Sequence, residues 1–361
     1  MKNLLRLSRV AMIILFSFSA WAEKPKILIA PDGNIYDYGV YKGKKDIVIS
    51  DSTGKLIRPL GITIKDDDCF VEQLAIDSSG TKIALSGGCK FPKDNDIGKN
   101  REGHYLLTIV DIVTRTTIAN IKHANSFCFS PKGDAIVFVN DYPGSSGGEG
   151  TPPPNIEYGI FTYNLNSRIK TEISSPVGAC DFNWSPHDGR IYFTDGEQHV
   201  YRYDASKGRG SLVPYKGIYF SPDKQYNISD VCGDRDDPDA YPHIYRISDH
   251  KRMTGWTNLL LKKSGQWPPP QYNRPALSFE FFCNQANAAV FSAKNEQNFI
   301  FDLNKGTVIG QFNGRILGTN ADGSKVLISP VKSDQSQEPD QPRQIDFSKV
   351  EILNLLDIVK K

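Results

Sequence analysis

The sequence predicts an all-β fold made from one small antiparallel unit used repeatedly, and three observations carry that prediction. Short runs rich in β-branched and aromatic residues alternate with tight-turn residues along almost the whole chain. One turn type recurs with aromatic, Ser, Pro and Gly positions in the same order, at spacings of about 35 to 63 residues, close to the roughly 40–50-residue period of four-stranded blades once inserted loops are allowed for. Long amphipathic helical patterns are absent, which removes α/β alternatives. A small sheet with apolar faces must be covered on both sides, and closing the array into a ring leaves no exposed end. The expected architecture is therefore a single β-propeller over residues 23–361, with seven blades of four antiparallel strands. The number falls to six if the first copy only lends strands to the last.

The clearest copy runs from Asp181 to Asp204. Asp181-Phe182-Asn183-Trp184 is a strand, Ser185-Pro186-His187-Asp188-Gly189 the turn, Ile191-Tyr192-Phe193 the next strand, and Val200-Tyr201-Arg202-Tyr203-Asp204 the third. Pro186 presets φ near −65° and Gly189 admits φ > 0, so the chain reverses sharply between two apolar runs. His187, in that turn, is expected to be exposed.

In chain order, the first copy comprises Lys26 to Ala30, the turn Pro31-Asp32-Gly33, and strands over Asn34 to Tyr41, Asp46 to Ser50 and Lys55 to Leu60. The second has Leu74 to Ile76, a turn ending at Gly80, then Thr81 to Leu85, Tyr105 to Val110 and Thr114 to Ile121. The third reads Phe127-Cys128-Phe129-Ser130-Pro131-Lys132-Gly133-Asp134, then Ala135 to Val139 and Gly159 to Leu165. The fifth reads Ile218-Tyr219-Phe220-Ser221-Pro222-Asp223-Lys224, then Tyr226 to Val231 and His243 to Ile247. Lys224 stands where the turn glycine would be, which predicts a turn of another type. In the sixth, Asn287 can take the left-handed position between Phe279 to Cys283 and Ala288 to Ser292, with Phe299 to Leu303 following. The seventh has Arg315 to Gly318, a turn ending at Gly323, Lys325 to Ser329 and Val350 to Leu356.

Phe129-Ser130-Pro131-Lys132-Gly133-Asp134, Trp184-Ser185-Pro186-His187-Asp188-Gly189 and Phe220-Ser221-Pro222-Asp223 resemble the aromatic-Ser-Pro-Asp-Gly turn of TolB-like, WD-like propeller repeats, and Val200 to Asp204 and Ile300-Phe301-Asp302 resemble the strand that follows it. The resemblance implies a propeller over nearly the whole chain after residue 22. It does not imply one activity, since relatives with such repeats include periplasmic scaffolds, propeller domains of peptidases and some polysaccharide lyases.

Met1 to Ala22 reads as a cleaved signal peptide: Lys2, Arg6 and Arg9 precede the apolar run Val10 to Phe18, and Ala20-Trp21-Ala22 has a small-x-small cleavage pattern. The run is well short of the roughly 20 residues needed to span a bilayer. A periplasmic or secreted chain without a membrane span is the expectation. Removing this segment leaves 40 basic against 41 acidic residues, a net charge of −1, which argues against a nucleic-acid surface. Export permits disulfides among the six cysteines. Cys69 with Cys89 is the most local pair, and Cys128, Cys180, Cys232 and Cys283 either link neighbouring units or are buried thiols. None stands in a Cys-x-x-Cys spacing, so neither a redox motif nor a thiolate zinc site is expected.

In such a blade the first-to-second turn and the second-to-third connection lie at opposite ends. The Ser-Pro turns therefore share one face, and the long connections Gly87 to His104, Asn140 to Tyr158, Asp230 to Tyr241 and Pro330 to Ser348 share the other. Loops beyond about 12 residues without their own structure are commonly functional or disordered. The candidate binding residues on that face are Asp94, Asp96, Arg101, Asp141, Tyr142, Asp234, Arg235, Asp236, Tyr241 and His243. The carboxylate-rich loops are compatible with weak calcium binding but lack a complete calcium-loop spacing; no cofactor and no metal site are expected. Gly147-Gly148-Glu149-Gly150 lacks the strand and helix that flank a phosphate loop. No Gly-x-Ser-x-Gly elbow is present. These features point to a monomeric binding scaffold that takes a protein or glycan partner through its long-loop face. The alternative is a carbohydrate- or peptide-processing enzyme with groups such as Asp181, Asn183 and Glu280 at the mouth of the central channel.

Overall fold

The computed structural model describes residues 27–360 apart from 42–43, 52–54, 62–70, 72, 90–103, 141–158, 175–180, 196–198, 205–208, 230–240, 266–276, 294–295, 321 and 330–349. Seven antiparallel sheets follow one another along the chain. Blade 1 is β1 (Ile27–Ile29), β2 (Ile35–Tyr41), β3 (Lys44–Ser50) and β4 (Leu56–Pro59); blade 2 is β5 (Gln73–Ile76), β6 (Lys82–Cys89), β7 (His104–Asp111) and β8 (Thr116–Lys122). Blade 3 is β9 (Ala124–Phe129), β10 (Ala135–Asn140), β11 (Gly159–Asn164) and β12 (Lys170–Ser174); blade 4 is β13 (Asp181–Trp184), β14 (Ile191–Thr194), β15 (Val200–Asp204) and β16 (Arg209–Leu212). Blade 5 has β17 (Tyr219–Phe220), β18 (Tyr226–Ser229), β19 (His243–Arg246) and helix α1 (Thr254–Lys263); blade 6 has β20 (Leu277–Cys283), β21 (Ala288–Ala293), β22 (Gln297–Asp302) and β23 (Thr307–Asn313). Blade 7 has β24 (Arg315–Thr319), β25 (Lys325–Ser329), β26 (Glu351–Asn354) and helix α2 (Leu355–Val359). This is a seven-bladed β-propeller.

The core explains the count. Successive residues of a strand point to opposite faces, so each blade feeds apolar side chains to both neighbours. Ile83 and Leu85 of β6 join a cluster with blade 1, while Ala84 between them joins one with blade 3. Ile136 and Phe138 of β10 turn toward blade 2 and Val137 toward blade 4. Among the described residues the buried apolar side chains form one cluster at each of the seven blade boundaries. Blade 1 is a complete four-stranded sheet of its own, so the ring closes by side-chain packing of β1 on β24 and β25 without strand exchange. That last seam has the smallest core, with Ile29, Leu317 and Leu327 buried and Ile35, Val350 and Ile352 packed on it.

The Ser-Pro turns are held by the serine. Ser130 Oγ accepts from the N–H groups of Asp134 and Ala135 at 3.1 and 3.2 Å, and Ser221 Oγ accepts from Tyr226 N at 2.9 Å while donating to Asp223 at 2.6 Å. The Lys224 turn is not of another type. Lys224 adopts φ 63°, beside 68° at Gly133 and 64° at Gly189, and its N–H bonds Ser221 O at 3.0 Å as Gly133 N–H bonds Ser130 O at 2.9 Å. The Ser221 and Asp223 bonds hold the loop shape and a side chain tolerates it. Asn287 takes φ 43°, the left-handed position expected of it. His187 is half-buried rather than exposed: its Nε2 donates to Ser221 O at 2.7 Å, tying the blade 4 turn to that of blade 5. Ser78 Oγ to Pro131 O (2.9 Å) and Asn287 Nδ2 to Asp223 Oδ2 (2.8 Å) make similar ties between blades 2 and 3 and blades 5 and 6.

Two further findings concern the edge of blade 5 and the cysteines. In blade 5 the fourth strand is reduced to a single bridge, Tyr245 to Arg252, and α1 follows it. Trp256 of α1 stacks at an angle on Tyr226 and Phe301, at 5.0 and 5.4 Å between ring centres, and so plugs the outer edge between blades 5 and 6. Cys128 and Cys283 are thiols, not halves of inter-blade disulfides; Cys283 is fully buried and Cys128 Sγ donates to Phe129 O at 3.3 Å. Cys69, Cys180 and Cys232 lie outside the described residues. No helix among the described residues is long and apolar enough to cross a membrane.

Candidate functional site

The strand order places the ends of the disc. Each first strand leads by a short turn into the second at one end, and the second leads to the third at the other. The four long connections leave β6, β10, β18 and β25 and return as β7, β11, β19 and β26. All four therefore emerge at the same end of the propeller, as expected from the sequence. Asp94, Asp96, Arg101, Asp141, Tyr142, Asp234, Arg235 and Asp236 lie within these connections and outside the described residues.

Tyr241 and His243 are described, and both are buried at the root of the blade 5 connection. Their rings meet edge to face at 4.8 Å, and His243 meets Tyr245 in the same manner at 6.2 Å. Arg252 Nη2 donates to Tyr241 Oη at 3.3 Å. The structure thus brings these two residues together at the start of β19. His243 backbone N–H also reaches Ser229 Oγ at 3.4 Å across the pair that the loop connects.

The inner strands give a second constellation. On β20 the register with β21 slips between Phe279 and Phe281, so Glu280 is the extra residue of a β-bulge. Bulges re-aim a side chain and loosen the local ladder. Leu277 and Phe279 pack toward blade 5 and Phe281 and Cys283 toward blade 7, leaving Glu280 between them on the innermost strand, partly exposed. Burial pushes its carboxyl above the usual range, opposed by hydrogen bonds with Ser278 and Ser292.

The hydrogen-bond directions there can be worked out. Asn298 Nδ2 donates to Gly314 O at 2.7 Å and Glu296 O at 3.2 Å, so its Oδ1 is an acceptor and takes the Ser292 hydroxyl at 2.6 Å. The one Ser292 proton is thereby used. Ser278 Oγ donates to Glu280 Oε1 at 2.8 Å. The network crosses all four strands of blade 6, and its Ser278, Ser292 and Asn298 members lie at the long-loop end. A buried carboxyl with a raised pKa is a candidate general acid.

Of the other channel candidates, Asn183 Nδ2 reaches Ile218 O at 3.4 Å, linking blades 4 and 5. Asp181 lies on β13, with its side chain outside the described set. Gln73, which sequence reasoning missed, joins β5 to β9 through a reciprocal pair: Nε2 to Phe127 O at 2.7 Å and Phe127 N to Oε1 at 3.1 Å. Gln73 and Asn183 act as links between inner strands, whereas Glu280 is a titratable group set in a polar network. The signal for that network was the alternation Leu277-Ser278-Phe279-Glu280, two polar residues at period 2 in an apolar strand. Among the described residues no group of three or more His, Cys, Asp or Glu side chains converges as a metal site.

No protein-family model matches the chain, and no curated protein matches it by sequence. By structure it is similar to a chain described as "Crystal Structure of Mitotic Checkpoint Complex", with a TM-score of 0.51 and 10% identity over 85% of this chain and 87% of that one. It is also similar to a chain described as "Oligogalacturonate lyase in complex with manganese", with a TM-score of 0.49 and 12% identity over 74% and 73%. At such identities the likeness is one of fold, a β-propeller.

Proposed function

We propose that the protein is a binding scaffold that holds a protein or glycan partner on the face carrying its long connections, and that it works in the periplasm or outside the cell. The observation that carries this reading is the concentration of the four long connections at one end of a disc whose other end has tight, mutually bonded turns. A rigid scaffold presenting variable loops is a recurrent way to build a binding surface. The localisation rests on the Met1 to Ala22 segment alone.

The test is crosslinking of the exported protein in its host, followed by replacement of all four connections with two-residue turns. Loss of the captured partner in the short-loop protein supports the reading; unchanged capture refutes it.

Glu280 favours a second reading, an enzyme acting on carbohydrate or peptide with Glu280 as general acid at the axial channel. Turnover of a glycan or peptide substrate that falls by two orders of magnitude or more in Glu280→Gln, within the roughly 10²–10⁴-fold contribution of general acid–base groups, would establish it in place of the scaffold. Turnover unaffected by that change would remove it.

A further inference from the structure

Among the described residues five large apolar side chains are well exposed: Leu56 at 42%, Ile57 at 50%, Val113 at 74%, Ile169 at 61% and Leu212 at 63%. Single exposed apolar residues are ordinary on protein surfaces, but four of these five share one end of the disc and three consecutive blades. Leu56 and Ile57 begin β4, Val113 lies between β7 and β8, and Ile169 between β11 and β12. A turn from third to fourth strand lies on the outer rim at the Ser-Pro end, opposite the long connections. Basic residues flank each of these tips, in Lys55-Leu56-Ile57-Arg58, Val113-Thr114-Arg115 and Arg168-Ile169-Lys170. The turns that hold them, counted from Asp51, Asp111 and Asn164, carry five Lys or Arg against two Asp. Both carboxylates accept backbone N–H groups, from Lys55 at 3.0 Å and Thr114 at 2.8 Å. The first-to-second turns nearer the axis carry no such excess: Asp32, Asp77 and Asp134 stand against Lys82 and Lys132.

Blade 6 shows that the turn itself requires none of this. Asp111, Asn164 and Asp302 open the same turn in blades 2, 3 and 6, each accepting through Oδ1 the N–H three residues on, at 2.8, 2.8 and 3.0 Å. At matched positions Val113 stands where the other two turns have Asn166 and Asn304, and Ile169 where they have Thr116 and Thr307. The left-handed position is filled by Gly306 in blade 6, at φ 66°, but by Arg115 and Arg168 in blades 2 and 3, at 58° and 59°. A side chain there is strained where glycine is not, and strain kept at a surface site points to a role beyond folding. Both arginines are exposed.

We propose that the Ser-Pro end of blades 1 to 3 docks peripherally on an anionic lipid bilayer. The four apolar tips enter the boundary between headgroups and acyl chains, and the flanking Lys and Arg side chains meet lipid phosphates, the pairing of apolar and basic groups that holds a protein at a membrane surface. An acidic protein fits the charge but not the tips. Protein interfaces favour aromatic side chains and are depleted of Lys, and their anchors are seldom Leu or Val, whereas these tips are aliphatic, stand on separate turns and have Lys beside them. The long connections leave from the opposite end, so the surface proposed above stays open when this end is docked.

The test uses the chain after residue 22, free of the apolar Val10 to Phe18 run, in sedimentation with vesicles of pure phosphatidylcholine or with about one third phosphatidylglycerol, which supplies the negative surface. The expected result is binding to the anionic vesicles alone, weakened by salt. Arg115→Gly with Arg168→Gly should weaken it about 25-fold, about fivefold for each basic residue near such a surface. The same pair should leave thermal stability equal or higher, since glycine accepts the left-handed φ; a purely structural role for the arginines would lower stability instead. Val113→Ser with Ile169→Ser should weaken binding about tenfold or more by removing buried apolar area, and Leu212→Ser at the other end should leave it unchanged. The proposal is overturned if the anionic vesicles are not bound, if phosphatidylcholine is bound equally well, if the Gly pair or the Ser pair binds as before, or if poly-L-aspartate is captured and the vesicles are not.

Discussion

Replacing Asp37 with Asn should stabilise the propeller at pH 8, and the gain should shrink as the pH falls. Asp37 lies on β2 two residues from Ile35, which belongs to the seam between blades 7 and 1, whereas Tyr36 and Tyr38 point to blade 2. Alternation therefore places the Asp37 carboxyl on the seam side of the strand. Burial raises its pKa from 3.8 to about 6, with only a backbone hydrogen bond at Tyr38 opposing the rise. A carboxyl with a raised folded pKa contributes stability that is fully present below its unfolded pKa and is lost as pH rises through the folded one. A rise of about two units corresponds to about 3 kcal/mol at most, and partial exposure brings the expected value to about 1–3 kcal/mol. Asn keeps the shape and cannot ionise. Urea unfolding of both proteins at pH 4, 5, 6, 7 and 8 isolates this group, because other titrations cancel in the difference. The gap should be widest at pH 7–8, narrow through pH 6 and nearly vanish by pH 4. A pH-independent gap, or a less stable Asn protein at pH 8, would refute the placement of this carboxyl at a dry seam.

Three more outcomes follow from the geometry. Lys224→Gly should raise stability by about 1 kcal/mol, because a left-handed non-glycine residue costs roughly 1–2 kcal/mol and glycine gives back part of it in chain entropy; thermal melts report it. Gly306→Ala should cost about 2 kcal/mol or more, since Gly306 has φ 66° and a Cβ there would meet the Trp256 indole; loss of stability with unchanged far-UV dichroism at low temperature is the expected pattern. Glu280→Gln should gain stability on the parent as pH rises from 4, because burial raises the Glu280 carboxyl and disfavours its charged form, whereas the amide still accepts from Ser278 and cannot ionise. Melts across pH 4 to 9 decide, and a gap that does not grow with pH would contradict a raised Glu280 carboxyl.

Much of this molecule could be read from local chemistry. Pro131, Pro186 and Pro222 with their preceding serines marked the turns, and the strands of blade 1 came out within three residues of their observed limits. Lys224 misled because the rule that glycine fills a left-handed position ignores what neighbouring bonds can impose. Helix α1 was missed for want of a start signal: Met253 caps it with no side-chain bond, and Gly255 sits in its first turn. His187 was misread because its partner, Ser221 O, belongs to the next blade.

The repeating blade and the sorting of loops to one face were decided by features that repeat within a few residues: turn chemistry, period-2 alternation and loop length. Those act locally, so a linear chain displays them. Seven blades rather than six was decided by the structure, where blade 1 keeps all four strands in its own sheet. The Glu280 network and the basic, apolar-tipped rim of blades 1 to 3 arise between residues far apart in the chain. Glu280 acquires its raised pKa only when folding buries it at the bulge of β20. Leu56, Val113 and Ile169 share one rim only because successive blades pack side by side in the same sense. Strand pairing within blade 6 created the first and packing across blade boundaries the second, and neither is something one strand's sequence reveals about its neighbour.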